Sequence, residues 1–457
     1  ELIEANYGYD KYGGNCHMVP NHGLIIHSLL HGEGDFSETM KIINTCGWDT
    51  DCNSGNVGCL MGIKEGLGGI DAGLNKGLDW RGPVADRIYI PTADGGRAIS
   101  DCAAETDHIV RMGRRLAGID GLAPKDGAQF HFSYSGSVQG FQIIEGDGEL
   151  GNAAQADGEQ GLRISSSEPV RVGTPVFTPS KEEARYFEKR GYALLASPRL
   201  FPGQTLTARV TGVSMAQVNV YVTCYGEDDA PVTVDSPVMR VGESGCEIEW
   251  VVPSLPGPIF QVGLLVSHSE SGGSVYLDRL GWSGAPEVTF TSPKHDGSMW
   301  RRAWVNGVDT MWAYRHMPEM LRLIQNQGTG LVMQGTREWQ DYTVTAAIRP
   351  HMARRTGVAA RVQGMTRYYG LLFKNPGTVQ LVRACHQEIV LGEVAFDWQL
   401  DVTYEFMLTV KGDLISGRID GQVLIEARDD ALDAGAVGLV IEEGRTEVMH
   451  VSVSAAK

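Results

Sequence analysis

The sharpest chemical signal in the chain is the turn Gly47-Trp48-Asp49-Thr50-Asp51-Cys52-Asn53-Ser54-Gly55. Two carboxylates at i and i+2, offered from a tight turn at a helix start, can converge on one hard cation, because Mg²⁺ and Ca²⁺ take oxygen ligands and keep water in their remaining positions. The same two residues could instead cap the following helix, accepting backbone N–H groups and meeting the positive end of its macrodipole. Spacing alone leaves both open. His17, His22 and His27 precede the turn and could line a pocket there or be ordinary structural histidines. A second set lies far along the chain. Trp339, Tyr342, Tyr368 and Tyr369 could stack on the apolar faces of sugar rings, with Arg361 donating hydrogen bonds to hydroxyls. Alternation in a β-sandwich could equally turn such aromatics into the core.

The elements that must position these residues change character near residue 120. Before it the apolar periodicity is helical, with Leu24, Ile25, Ile26, Leu29 and Leu30 forming one stripe. Asp35 with Glu38 makes a capping box, which predicts a helix from Phe36 to Cys46 that stops at Gly47. Val57, Leu60 and Met61 predict another from about Asn53 to Gly68-Gly69, and its Gly55, Gly58, Cys59 and Gly62 admit a close neighbour. A third helical pattern runs from Ile99 to Leu116. Beyond Gly121 the signal is strand alternation, at 129–134, 205–210, 218–222 and 247–252, then, after a linker at 282–286, at 342–348, 357–362, 369–373, 378–383, 404–410, 414–419 and 448–453. The expected fold is multidomain, α plus all-β: a partial helical domain over 1–120 and two β-sandwiches of jelly-roll type over 121–285 and 286–457. A chain of 457 residues suits about three domains.

The 39 Lys and Arg against 56 Asp and Glu leave a formal charge of −17. Such a surface repels polyphosphate and acidic membranes, so nucleic acid is not the expected partner. No run of about 18 apolar residues occurs, and no membrane-spanning helix is expected. The 58 glycines favour turns and close backbone approaches. Eight cysteines, five of them before residue 103, lack the spacing of a disulfide framework. Cys224 and Cys246 lie in neighbouring strand runs and could bridge or remain buried thiols. This usage favours a reducing compartment such as the cytoplasm. The chain opens Glu1-Leu2-Ile3-Glu4, without an initiator Met or a signal pattern, and a preceding segment is expected to have been cut away.

The run from about Pro20 to Gly69 resembles the last third of an ADP-ribosylglycohydrolase domain. The likeness is the combination of Ile25-Ile26-His27-Ser28-Leu29-Leu30, Phe36 to Asn44, Gly47-Trp48-Asp49-Thr50-Asp51, Asn53, and the small-residue helix Gly58-Cys59-Leu60-Met61-Gly62. In that family a glycine-flanked Asp-Thr-Asp-Thr turn supplies ligands to a pair of Mg²⁺ ions, so the resemblance implies that Asp49 and Asp51 are metal ligands. Trp48 stands where a second glycine is usual. Cys52 stands where a threonine hydroxyl contacts metal, and a thiol is a poor ligand for a hard ion. The family's other aspartate-rich motif belongs to the first half of its domain and has no equivalent in this sequence. Glu227-Asp228-Asp229 and Asp429-Asp430 lie in the β region and read as solvated loops. The resemblance therefore implies a partner segment, the N-terminal half of the same polypeptide, which would supply the general base.

Ser274 to Trp282 resembles the last strand of a galactose-binding-like jelly roll. Trp339 to Val344, Gly357 to Gly364, Tyr368-Tyr369, Gly412 to Gly421 and Gly435 to Leu439 resemble a concanavalin-like or laminin-G-like sandwich. Such domains bind glycans, which assigns Trp339, Tyr342, Arg361 and Tyr369 to sugar contact. Asp278 is a candidate for structural Ca²⁺ or a plain surface carboxylate. Two readings follow. One is a Mg²⁺-dependent glycohydrolase that cleaves an N- or O-glycosidic bond at a ribose-like furanose, acting on a sugar or ADP-ribosyl substrate, with two ions polarising the bond and positioning water. Its sandwiches would hold it on a glycan or in a homo-oligomer. The other is a non-catalytic carbohydrate-binding protein whose degenerate helical domain survives as scaffold.

Overall fold

The computed structural model describes residues 1–90, 96–121, 123–192, 194, 196–268, 273–313 and 316–457. Two compact units divide the chain, 1–86 and 87–457.

The first unit is helical, with α1 Leu2–Tyr7, α2 Met18–His31, α3 Phe36–Thr45 and α4 Thr50–Asp71. α3 begins where the capping signal places it. Asp35 Oδ1 accepts the Glu38 N–H at 2.9 Å, while the Glu38 carboxylate pairs with Lys41 at 2.9 Å instead of returning to the cap. The helix ends at Thr45, because Gly47 takes φ 82°. α4 starts at Thr50, ahead of its apolar stripe, and is interrupted at Gly66, where φ is 65°. Leu24, Phe36, Met40, Ile43, Val57 and Met61 form the core. A Cβ on Gly58 would stand 3.7 Å from the Met40 sulfur, so the small-residue face of α4 lets α3 approach. Val19, Ile26 and Leu30 of α2, with Leu60, Ile63 and Leu67 of α4, remain exposed.

The second unit opens with the antiparallel strands Arg87–Tyr89 and Ile99–Asp101, followed by α5, Cys102–Leu116. The start of the helix predicted from Ile99 is thus a strand, and Asp101 Oδ1, accepting the Ala104 N–H at 2.9 Å, sets the true boundary. A first sandwich follows. One sheet orders strands 239–241, 216–225, 259–268, 170–175 and 142–145, with 231–235 beside 216–225; the other orders 246–251, 205–212, 273–283, 160–166 and 149–154. Leu162, Val172, Val220, Leu264 and Leu277 fill the space between them. The predicted strand at 129–134 reduces to one bridge between Phe130 and Leu280. Its amides turn to side chains instead: His131 and Phe132 N–H both donate to Gln139 Oε1 at 2.8 Å, and Ser133 N–H donates to His131 Nδ1 at 3.1 Å. Cys224 is buried in this core as a free thiol, pushed up to about 11 by burial, and Cys246 is also free.

The second sandwich is organised by two long strands, Tyr342–Gly364 and Ala436–Ala455. They pair with each other along most of their length. The 342–348 arm also pairs with Tyr404–Lys411, and the 355–360 arm with Arg367–Lys374. The sequence presents 342–348 and 357–362 as separate strands; they are one strand that bends from one layer into the other, with register shifts near Pro350. Gly444 is required at that bend, since a Cβ there would lie 1.6 Å from the Met352 carbonyl oxygen. In each of the two acidic runs read as solvated loops one carboxylate is structural, while Glu227, Asp228 and Asp430 are exposed. Asp229 accepts the Ser298 and Met299 N–H groups at 2.7 and 2.9 Å and pairs with Lys181 at 2.6 Å. Asp429 accepts the Tyr369 hydroxyl and Arg383, each at 2.6 Å.

His131 gives the second unit a pH dependence. Burial holds its imidazole below the ordinary value, against the opposing carboxylates of Asp107, 2.8 Å away, and Asp101, while Lys125 adds to the depression. The unfolded chain therefore binds the proton more readily as pH falls through about 6.5, so stability declines with falling pH. Urea denaturation between pH 7.5 and 5.5 should show this decline, and His131→Asn should flatten it.

Candidate functional site

Asp49 occupies the N-cap position of α4, with φ −89° and ψ 71°, yet its side chain makes no capping hydrogen bond. The carboxylate is turned elsewhere. One ligand atom each from Asp49, Asp51 and Cys52 lies within 4.8 Å of the others, with Asp49 half-buried and the other two exposed. A hydrogen bond shared with Asp49 holds the Asp51 carboxyl below the usual range, aided by the N–H groups of Cys52 and Asp51 itself. A hydrogen bond and the charge of Asp49 push the Cys52 thiol up. The charge of Asp49 does the same, first among several causes, to the exposed Cys16.

The backbone that aims these groups is fixed from two sides. Asn21 on α2 uses one carbonyl oxygen twice, accepting the Asp49 N–H at 3.3 Å and Asn53 Nδ2 at 3.1 Å. Asn53 is 2% exposed. On the other side Trp48 keeps φ 54°, the left-handed conformation that glycine would adopt freely. Tyr9 stabilises it there: the Trp48 N–H donates to the Tyr9 hydroxyl at 2.5 Å, and the two rings stack at 4.9 Å between centroids. The departure at Trp48 is thus compensated locally. Sequence reading missed Asn21, Tyr9 and Cys16. Only the Asn21/Asn53 pair carried a signal, as polar residues on otherwise apolar helical faces. Of the histidines, His17 Nε2 meets the Gly13 carbonyl at 2.9 Å, and His27 packs against His31 with ring centroids 4.5 Å apart. His22 is exposed.

The residues assigned to sugar contact are elsewhere and inside. Trp339, Tyr342 and Tyr369 have no exposed surface and Arg361 has 2%, so no sugar ring can stack on them. They are core. Trp339 packs edge-on against Phe201, centroids 4.8 Å apart. The Arg361 guanidinium donates to the Gln340, Gly412 and Leu432 carbonyls at 3.2, 2.8 and 2.9 Å and pairs with Asp341 at 3.3 Å. The Tyr342 hydroxyl accepts the Arg361 N–H at 2.6 Å and reaches the Gly435 and Ala436 carbonyls, each at 2.9 Å. Alternation had two faces to choose from, and the inward one prevailed because these residues fall on the side facing the opposite layer. Asp278 is held by Lys125 at 2.7 Å and by Gln155 at 2.8 Å, with Arg279 at 3.2 Å, so nearby cations already neutralise the candidate Ca²⁺ ligand.

Two measurements separate these roles. Asp35→Ala, which removes a true cap, should cost about 1 kcal/mol in urea denaturation, while Asp49→Ala should cost nearly nothing. Tyr342→Phe leaves the Arg361 N–H buried and unpaired and should cost about 1–3 kcal/mol.

Comparison with known proteins gives the following. No curated protein matches the chain. Among solved structures, the carbohydrate binding module CBM66 from Bacillus subtilis is similar at 14% identity and TM-score 0.31, over 33% of this chain and 95% of that one. A Bacillus subtilis protein of unknown function with a galectin-like fold is similar at 12% identity and TM-score 0.29, over 38% and 100%. The Caenorhabditis elegans galectin LEC-6 is similar at 14% identity and TM-score 0.23, over 34% and 96%. Residues 2–104, which contain α1 to α4 and the whole of the Asp49 turn, match the family model of the ADP-ribosylglycohydrolases.

Proposed function

We propose that the helical unit is part of a glycosidic-bond hydrolase of the ADP-ribosylglycohydrolase type, and that the β-sandwiches bind glycan. The observation that carries the first half is the Asp49 carboxylate, which forgoes the cap it is placed to make and converges with Asp51 and Cys52, inside the segment that matches the family.

The donor set fits a divalent cation in its oxygens. Asp49 and Asp51 would hold Mg²⁺, with water or carboxylates from a further segment in the remaining positions, and Cys52 would be a weak neighbour. Such an ion supplies Lewis-acid polarisation and a template for a vicinal diol and water. The chain's own contribution is positional. Asn21 and Tyr9 fix the turn, Asn53 anchors the first turn of α4, and the helix N-terminus lets two carboxylates stand close together. A furanose with a free 2,3-diol, as in an ADP-ribosyl group, is the substrate this arrangement suits. The exposed stripes Val19, Ile26, Leu30 and Leu60, Ile63, Leu67 offer a face on which the rest of the catalytic domain would pack.

Cys52 and Cys16 favour a second reading, in which the helical unit has lost Mg²⁺ chemistry and the sandwiches carry the activity as a carbohydrate-binding protein. Calorimetric titration of the 457-residue chain separates the two. Mg²⁺ should bind weakly to this chain and more tightly to a polypeptide that carries the whole family domain, and Asp49→Ala should abolish the binding in both. Saturable Zn²⁺ binding without any for Mg²⁺ supports the second reading, and Mg²⁺ binding that survives Asp49→Ala defeats the assignment. Released ADP-ribose from ADP-ribosylated protein is the activity to measure.

A further inference from the structure

A groove in the second unit is lined by arginines drawn from separate stretches of the chain. One half, of about 220 Å³, takes Arg111 from α5, Arg199 from the segment before the 205–212 strand, and Arg97 and Arg337 from loops. The adjoining half, of about 160 Å³, shares Arg111, Arg199 and Glu338 with it. Arg111, Arg337 and Glu338 are exposed and Arg199 is half-buried, so these groups are open to a dissolved molecule. Such a convergence runs against a chain charge of −17. Nor do the local charges cancel. Arg97 pairs with Glu105 at 2.5 Å, and Glu105 also accepts the Ser100 hydroxyl at 2.7 Å. Arg199 makes no ion pair among the described residues; its guanidinium lies over the Phe130 and Trp282 rings, 5.3 and 5.7 Å from their centroids. Arg111 donates to the Asp107 carbonyl of its own helix at 3.3 Å, and Arg337 to the Gln363 carbonyl at 3.2 Å. The Asp107 carboxylate is turned to His131, 2.8 Å away, and to the Tyr134 hydroxyl. Asp107 and Glu338 are thus left against Arg111, Arg199 and Arg337. His108, which also lines the groove, registers the crowding: burial first, then the charge of Arg97, with Arg111 and Arg337 adding, holds its imidazole below the ordinary value against the pull of Glu105.

Guanidiniums without carboxylate partners suit an oxyanion, because their paired N–H donors match two oxygens of a carboxylate, sulfate or phosphate. A bare anion would meet the arginines but also the repulsion of Glu338. A zwitterion would suit Glu338, yet it brings no net charge and leaves the positive excess in place. A hydroxylated ring that bears one acidic group satisfies both, with the anion on the arginines and a hydroxyl donating to the carboxylate. The 160 Å³ half has room for one six-membered ring, since a cavity of about 150 Å³ accommodates benzene. We infer that this groove binds an acidic sugar unit of a glycan, its charged group held by Arg111, Arg199 and Arg337 and a ring hydroxyl donating to Glu338. This assignment deepens the glycan-binding half of the proposal above and rests on it, but not on the Asp49 site.

The test is calorimetric titration of the 457-residue chain with the methyl glycosides of glucose, galactose, glucuronic acid and galacturonic acid, with the 6-sulfates and 6-phosphates of glucose and galactose, and with acetate, sulfate, phosphate and glycine. At least one acidic sugar should bind about tenfold or more tightly than the neutral glycosides and than its own bare anion, and which one binds identifies the acidic group. Its affinity should fall as salt is raised. Arg111→Glu, at an exposed position, should weaken it about tenfold or more and leave the melting temperature nearly unchanged. Arg337→Glu should weaken it too and serves if the first variant does not fold. Glu338→Gln should tighten the bare anions and erase the advantage of the sugar. Acidic-sugar binding unchanged in both arginine variants would overturn the groove. Neutral glycosides, bare anions or glycine bound as tightly as any acidic sugar would overturn the ligand class; in the first of these cases the glycan-binding reading stands. No binding by any sugar would defeat both.

Discussion

One carboxamide oxygen sets the geometry of the candidate site. Asn21 Oδ1 receives both the Asp49 N–H and the Asn53 side chain, and so ties α2 to the first turn of α4. Without it the turn would be free to let Asp49 swing onto the amides of its own helix, the default for an aspartate at an N-cap. With it the cap position is held, while the carboxylate is left to face Asp51. The contrast with Asp35 is instructive, because that residue has the same type and helix position and does cap, at 2.9 Å. Both are preceded by two residues of positive φ, Glu33 and Gly34 before Asp35 and Gly47 and Trp48 before Asp49, and what differs is the backbone of the acid itself, with ψ 131° at Asp35 and 71° at Asp49.

In the second sandwich the corresponding constraint is the bend shared by the strands 342–364 and 436–455. Away from that bend, beside the ends of the two strands, the carbonyls of Gln340, Gly412, Leu432, Gly435 and Ala436 need donors of their own. Arg361 serves the first three, and Tyr342 serves the other two together with the Arg361 amide. An arginine and a tyrosine buried together near aromatic residues look, from sequence, like a sugar platform. Their donors serve the fold's own carbonyls.

How much could be read in advance follows from this difference. The helices around the turn were legible because capping, glycine stops and 3.6-residue spacing are local signals, and most strands were legible because alternation is local too. The strand at 129–134 failed because Gln139 took its amides, and nothing in a pattern of period two announces a side chain that replaces a ladder. The start of α5 failed because Ile99 to Asp101 has the apolar content of a helix but pairs with Arg87 to Tyr89, a long-range partner. The acids at 49 and 51 stood out by spacing, whereas Tyr9 could not, since its hydroxyl meets the Trp48 N–H, 39 residues on, only in the folded chain. Which of the two faces of an alternating strand turns inward is likewise decided by the opposite layer, so Trp339 and Tyr369 looked equally suited to either.

The electrostatics of the Asp49 turn limit what it can do alone. The N-terminus of α4 carries roughly half a positive charge, which favours the two carboxylates and disfavours a cation beside them. Two exposed or half-exposed acids then supply little net attraction, because water and salt screen them. The overall charge of −17 adds a diffuse field that draws cations to the surface without selecting a position. Tight, specific binding of a hard ion therefore needs further oxygen ligands that exclude water from the same point, and a thiol at Cys52 cannot provide them. On this argument the turn is a half-built cradle, oriented by Asn21 and Tyr9 for groups that must arrive from another segment, and its affinity for Mg²⁺ should rise steeply once they do.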